Sequence, residues 1–469
     1  MPHYWIPNSS RKVRQEMLRE TGVNDIEEFF KDIPEQLRLK RELRVGFGRP
    51  LLEHEARRKF LEILSKNKFT GFADTHRVFL GGGVCVHYVP SVVKAIVSRA
   101  EFYTAYTPYQ PEINQGILQA FFEYQSLMAE LYGVDIVNAS MYNVSTAAAE
   151  AVRMALRVKR GRKRILIASS AHPEIKEVIR TWVKGLNARL EEIPYGREDG
   201  ELDINALHSK LSNDVAAVYV ESPNFFGIIE RKLCDIIELA HDVGGLAIVN
   251  ANPLSLGIFK APGDLGADIV VGDAQPLGVG LNYGGPSAGI LGIQDRRELL
   301  RQLPGRLVGM TKTVDGSENG FMLILQTREQ HIRRERATSN ITTNSGLEAI
   351  AAAVYVSLLG AKGLRRLGEA LLGRTTYFLE TLRKRSVEAT PLFEKGLYFR
   401  EVTISFKGKD AKDVVSQLER HGIYVGPPLS RFYDAMHDCS LLCLTELHSK
   451  EDIDELVSKL ALVLGGEAR

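Results

Sequence analysis

Four short stretches hold the side chains best placed to do chemistry. Tyr142-Asn-Val-Ser-Thr146 runs into a small-residue segment, Ala147 to Ala151. Free N–H groups at such a helix start bind phosphate well, aided here by the Ser145 and Thr146 hydroxyls, although an ordinary N-cap reads the same way. His172 follows the apolar run Arg164 to Ala168 and precedes Pro173. Its imidazole either stacks on a planar ligand or simply leads into a helix. Asn250 ends the apolar run Leu246 to Val249. The fourth stretch, Ala267 to Gly289, reads as a buried strand (Ile269 to Val271), a glycine-rich loop and a turn at Gly284, Gly285 and Pro286.

These are the places where an α/β enzyme of the pyridoxal phosphate class anchors its cofactor. Such an enzyme needs a phosphate site, a carboxylate that keeps the pyridine nitrogen protonated, and a lysine that holds the aldehyde as a Schiff base. Two of the three are missing. No lysine occurs between Lys260 and Lys312, and the carboxylate position is Asn250. An amide supplies no charge, and each pKa unit of pyridinium stabilisation lost is worth about 1.4 kcal/mol. One loss fits a variant chemistry; both together point to a scaffold kept without its cofactor. A self-sufficient enzyme would have to use Lys260 or Lys312, and both lie away from the expected loop.

The elements that position these loops follow from periodicity. From Asn114 onward a helix to about Tyr132 is followed by strands and helices in alternation: 135–139 with 145–158, 164–168 with 173–186, 188–193 with 204–211, 215–220 with 233–242, then 246–249. Short continuous apolar strands between amphipathic helices indicate a mostly parallel sheet covered on both faces. Ligands then sit beyond the carboxyl ends of the strands. Residues 1–68 read as short wrapping helices, capped at Ser9 or Ser10 and at Asp25 and opened at Pro34. Residues 69–335 read as the large domain, and 336–469 as a small C-terminal α/β domain. A small-residue helix (347–359) and a long helix (364–385) lead into that last domain.

Composition narrows the class. Of 469 residues, 44% are hydrophobic and 25% charged, and the net charge is +2, so nothing points to nucleic acid or an anionic membrane. No apolar run reaches the roughly 20 residues of a membrane span, and residues 1–14 do not read as a signal peptide. The four cysteines, Cys85, Cys234, Cys439 and Cys443, show no metal-ligand spacing and fit reduced thiols in a cytoplasmic protein.

Longer runs carry a resemblance. Glu101-Phe-Tyr-Thr-Ala-Tyr-Thr-Pro-Tyr-Gln-Pro-Glu-Ile-Asn114, Asn138-Ala-Ser-Met-Tyr142, Ser222-Pro-Asn-Phe-Phe-Gly227, Gly272-Asp-Ala-Gln-Pro-Leu-Gly278, Gln326-Thr-Arg-Glu-Gln-His-Ile-Arg-Arg334 and Ala337-Thr-Ser-Asn-Ile341 are similar to the glycine cleavage system P-protein family. Within it they resemble the subunit that corresponds to the N-terminal half. The resemblance implies an aminotransferase-like, fold type I structure and a glycine dehydrogenase (decarboxylating) activity shared with a second subunit. Subunit 2 would bring the lysine and pyridoxal phosphate, in a complex of two copies of each chain. The pair would release CO2 from glycine and pass the aminomethyl group to the lipoyl arm of H-protein.

In dimers of this fold, loops of one chain complete the site of the other. Tyr103, Tyr106, Thr107, Tyr109 and Gln110, the turn at Gly284, Gly285 and Ser287, and Arg333, Arg334, Thr338, Ser339 and Asn340 are therefore expected to line the partner's site or its approach. Ser145, Thr146, His172 and Asn250 would outline a vestigial pocket in this chain. The arginines would meet phosphate, the glycine carboxylate or the acidic H-protein, or else form a solvated face with Glu329 and Glu335. A scaffold without catalytic role is the remaining alternative.

Overall fold

A computed structural model describes residues 5–6, 8–41, 46–67, 77–83, 85–105 and 107–465. The chain divides into two units, Met1–Thr70 and Gly71–Arg469. In the first, Ser10 caps helix α1 (Arg11–Glu20) by accepting from Val13 N–H. Asp25 and Glu28 form a capping box over a 3-10 turn, Ile26–Phe30, and α2 spans Glu53–Leu64. None of the residues in these helices is buried.

The second unit is built on a seven-stranded sheet. Chain order gives β1 (Val78–Leu80) outside it, then β2 (Ile136–Val137), β3 (Arg164–Ala168), β4 (Arg189–Ile193), β5 (Val215–Ser222), β6 (Leu246–Ala251), β7 (Ile269–Asp273) and β8 (Gly289–Ile293). Their spatial order is β2-β8-β7-β6-β5-β3-β4. Strands β4, β3, β5, β6 and β7 pair in parallel, and β8 runs antiparallel to both of its neighbours. The inner parallel strands β3, β5, β6 and β7 are rich in Val, Ile and Ala because helices cover both faces, while the edge strand β4 is Arg-Leu-Glu-Glu-Ile. On one face α6 (Val144–Val158) and α7 (Pro173–Val183) pack on Ile165, Ile167, Tyr219 and Ile248. On the other, α5 (Gln115–Tyr132) and α9 (Leu233–Asp242) pack on Leu166, Val218 and Val249; α3 (Ser91–Val97), α4 (Ala100–Tyr103), α8 (Ile204–Lys210), α10 (Arg297–Leu300) and α11 (Gln330–Arg333) are shorter helices of this unit. Ala147, Ala148, Ala149 and Ala151 are wholly buried, which explains the small-residue start of α6: bulkier side chains would hold the helix off the sheet.

A hairpin of β9 (Val308–Lys312) and β10 (Asn319–Leu323) folds against α5 through Phe321. Helix α12 (Gly346–Lys384) then joins the two cores. Ala349, Ala352 and Leu371 belong to the sheet core, while Phe378 and Leu382 belong to that of the C-terminal α/β layer. The pattern of a short and a long helix has a concrete form here: the helical run is interrupted at Gly360, where φ is 59° and ψ −179°. By length and composition alone this helix could span a membrane, contrary to the expectation that no segment is apolar enough. Its buried residues are the reason for that apolarity. Strands β11 (Thr390–Pro391), β12 (Glu401–Ser405) and β14 (Cys439–Cys443) form an antiparallel sheet, and β13 (Tyr424–Gly426) pairs in parallel with β1.

Candidate functional site

The loops at the carboxyl ends of β3, β5, β6 and β7 converge, with the start of α6, on a cavity of about 290 Å³. Two residues from the layer beyond the sheet, Arg400 and Glu401, close it together with Gly82 and Gly83. This is where an open α/β sheet presents its ligand site. Of the residues singled out from sequence, Ser145, His172, Asn250, Gly284, Gly285 and Ser287 line this one cavity.

The polar groups are tied to one another. Asn143 caps α6, its Oδ1 accepting from Thr146 N–H at 2.9 Å and from Thr146 Oγ1 at 2.8 Å, so that hydroxyl is turned to the cap. Val144 N–H donates to Asp273 Oδ2 at 3.0 Å. Asp273 Oδ1 accepts from Gln275 N–H at 2.9 Å and from the Ser287 hydroxyl. Asp273 keeps a little exposed edge on the cavity, yet enclosure dominates. Burial raises its carboxyl, against the pull of the Ser287, Gln275 and Val144 hydrogen bonds.

His172 is the N-cap of α7. Its Nδ1 accepts from Glu174 N–H at 3.2 Å, which places the ring proton on Nε2, and that nitrogen donates to Gly82 O at 2.9 Å. The ring meets Phe225 edge-on, 4.8 Å between centroids. His172 N–H donates to buried Glu221 Oε2 at 2.9 Å, and Glu221 Oε1 accepts from Tyr219 at 2.9 Å. Gln275 is buried; its amide donates to Cys85 O at 3.1 Å and Val279 O at 3.4 Å.

Arg400 is buried. Its Nη1 donates to His87 Nε2 at 2.8 Å and Nη2 to Gly83 O at 3.1 Å, with Glu401 Oε2 3.6 Å away. Because His87 Nε2 accepts, Nδ1 carries the proton and donates to Glu446 Oε2 at 2.8 Å. The ring is thus held neutral, in keeping with burial lowering its pKa. Burial opposes charge on Arg400 as well, yet the carboxylates of Glu401 and Glu446 help hold it raised. Glu401 Oε1 accepts from Gly82 N–H at 2.6 Å and Gly83 N–H at 3.1 Å.

The tyrosine and arginine runs lie apart from this cavity. Tyr109 hydroxyl bonds Thr343 Oγ1 at 2.6 Å and Asn344 Oδ1 at 2.7 Å, and Arg306 lies over its ring. Thr107 O accepts from Asn114 Nδ2 at 2.8 Å. Tyr103, Gln110, Arg333, Arg334 and Asn340 are exposed, and Tyr106 falls outside the described residues. Thr338 N–H bonds Arg328 O at 2.9 Å. Ser339 is buried, donating to Glu150 Oε1 at 2.8 Å. Sequence reasoning missed Glu221, Asp273, Arg400 and Glu401, which the fold brings together from distant positions.

Comparison with known proteins places this geometry. The family model for the glycine cleavage system P-protein matches residues 3–460. The chain belongs to the glycine cleavage system P-protein family. It is 48% identical over 468 residues to a probable glycine dehydrogenase (decarboxylating) subunit 1 of Staphylothermus marinus, covering 98% of each chain. A protein of the same name from Saccharolobus solfataricus is 47% identical, over 98% of this chain and 97% of its own. A crystal structure of glycine decarboxylase (P-protein) in inhibitor-bound form superposes with a TM-score of 0.87 at 38% identity over 99% of both chains. A Burkholderia pseudomallei sphingosine-1-phosphate lyase shares the fold, with a TM-score of 0.64 at 12% identity over 91% of this chain and 93% of its own. The fold type I architecture of pyridoxal phosphate enzymes expected from the P-protein resemblance is thus the one observed.

Held against the cofactor of that fold, the cavity is a poor match. Among the described residues no lysine lines it, Asn250 stands at the end of β6, and the start of α6 is taken by Asp273. Four carboxylate side chains, Glu174, Glu221, Asp273 and Glu401, face one arginine. These residues do not fit pyridoxal phosphate.

Proposed function

We propose that this chain is the lysine-free subunit of a two-chain P-protein. It pairs with a homologous subunit 2 that holds pyridoxal phosphate, the cavity of this chain being unsuited to that cofactor. The pair decarboxylates glycine and transfers the aminomethyl group to the lipoyl group of H-protein. The observation that carries this reading is Gln275: buried, its side-chain amide donating hydrogen bonds to the Cys85 and Val279 carbonyls, it sits in the loop after β7 where a Schiff-base lysine is required. Lys260 and Lys312 are exposed and line no part of the cavity, which argues against a self-sufficient enzyme.

On this reading the chain shapes the partner's site from outside its own cavity. Tyr103, Thr107, Tyr109 and Gln110, with Arg333, Arg334, Thr338 and Asn340, face the partner or the path of H-protein, and the arginines supply charge for a carboxylate or an acidic surface. An obligate interface of this kind buries on the order of 2,000 Å² or more. Glycine–bicarbonate exchange, measured for each chain alone and for the mixture with H-protein, tests the proposal. Exchange is expected only in the mixture. A partner equally active without this chain would leave a scaffold as the better description.

A further inference from the structure

Three sets of backbone N–H groups face the cavity, and each is filled by a carboxylate of the chain itself. Val144, at the start of the 15-residue helix α6, donates to Asp273. His172, at the start of α7, donates to Glu221, and Gly82 with Gly83 donate to Glu401. Helix starts and paired glycine amides are the donors with which α/β proteins bind phosphate. Here their partners are internal.

We infer that Asp273 is a built-in anion that closes the phosphate cradle of this chain and directs a phosphorylated cofactor to the other chain of the pair. The direction of the cofactor rests on the proposed subunit role; the closure is a property of this cavity alone. Asp273 is not free to swing aside. It ends β7 in register with Gly289, and it is held by Val144, Gln275 and Ser287 at once. A Cβ on Gly289 would stand 2.3 Å from Asn143 O, so β8 presses directly on the cap of α6 and fixes the spacing between cap and carboxylate. A phosphate at that start would lie against a like charge, which weakens binding by about tenfold or more.

The test uses the full-length chain, alone or co-purified with its partner, with inorganic phosphate and pyridoxamine 5′-phosphate as probes; the amine form makes no lysine adducts. The unaltered chain is expected to show no saturable binding of either by calorimetry, and the pair to hold one pyridoxal phosphate. Asp273→Asn keeps an acceptor for Val144 N–H and removes the charge. It is expected to bind pyridoxamine 5′-phosphate at least about tenfold more tightly, with inorganic phosphate competing. Saturable, competitive binding to the unaltered chain overturns the inference, as does a folded Asp273→Asn chain, judged by circular dichroism, that gains nothing. Should that variant fail to fold, the unaltered chain decides alone: binding overturns the closure and its absence supports it. Failure of the subunit role reads differently, as exchange activity in the partner without this chain.

Discussion

The guanidinium of Arg306 lies over the Tyr109 ring, 4.6 Å from its centroid, and pairs with the buried carboxylate of Glu329. With the Tyr109 hydroxyl bonded to Thr343 and Asn344, one aromatic side chain ties the tyrosine loop to the segment that precedes α12. Tyr109→Phe keeps the ring on Arg306 and removes two hydrogen bonds, an expected loss of about 1–2 kcal/mol in urea unfolding. Tyr109→Ala also removes the cation–π contact, a further loss of about 0.5–2 kcal/mol. Equal midpoints for the two variants would show that the ring contact contributes nothing.

Gly289 sits where β8 meets the cap of α6. A methyl there would fall 2.3 Å from Asn143 O and 2.9 Å from Met141 Cβ, so the cap must move. Gly289→Ala is expected to destabilise by about 1–3 kcal/mol, seen as a lower thermal midpoint. Gly284→Ala, with nothing within 4 Å but a φ of +99°, tests backbone strain instead of space.

The alternation of strand and helix is legible in the sequence because each parallel strand is a closed apolar run; β3 and α9 begin and end where periodicity puts them. The missing lysine is equally legible, being a local absence. The polar lining is not. Asp273 lies within the Gly272 to Gly278 run, but only the approach of β7 to α6, 129 residues earlier in the chain, makes it a cap ligand. Glu401 reaches Gly82 across 319 residues, and no local spacing encodes that contact. Gly284, Gly285 and Ser287, expected to line the partner's site or its approach, lie on this chain's own cavity, where the Ser287 hydroxyl donates to Asp273 at the end of β7.

Glu230 makes a pH prediction. It is buried, accepts from Leu202 N–H at 2.9 Å and Asn224 Nδ2 at 3.2 Å, and desolvation pushes its carboxyl up to about 8. The folded value lies above the unfolded one, so the native chain favours the proton. The stability this gives is fully present below about pH 4.5 and declines as pH rises through about 8, by about 1.4 kcal/mol for each pH unit crossed between those two values. Glu230→Gln carries no charge to bury. Its urea midpoint is expected to fall less than that of the unaltered chain between pH 6 and pH 9; parallel declines would assign the loss to other groups.

Arg333 and Arg334 lie within the basic run on an exposed turn, and Arg334 holds a φ of +52°, a left-handed conformation that side chains other than glycine adopt at a cost. Residues kept in such conformations cluster at functional positions. If the pair guides an acidic carrier or a carboxylate to the partner's site, each Arg→Ala change should leave unfolding within about 0.5 kcal/mol. Exchange in the assembled pair should nevertheless fall, chiefly through a higher KM for H-protein that grows with salt. Arg→Lys separates two physical roles: it restores exchange where only charge steers the encounter, and fails where the planar fork binds a carboxylate at two points. Full exchange by both alanine variants in a properly assembled pair would place these arginines on an ordinary solvated face.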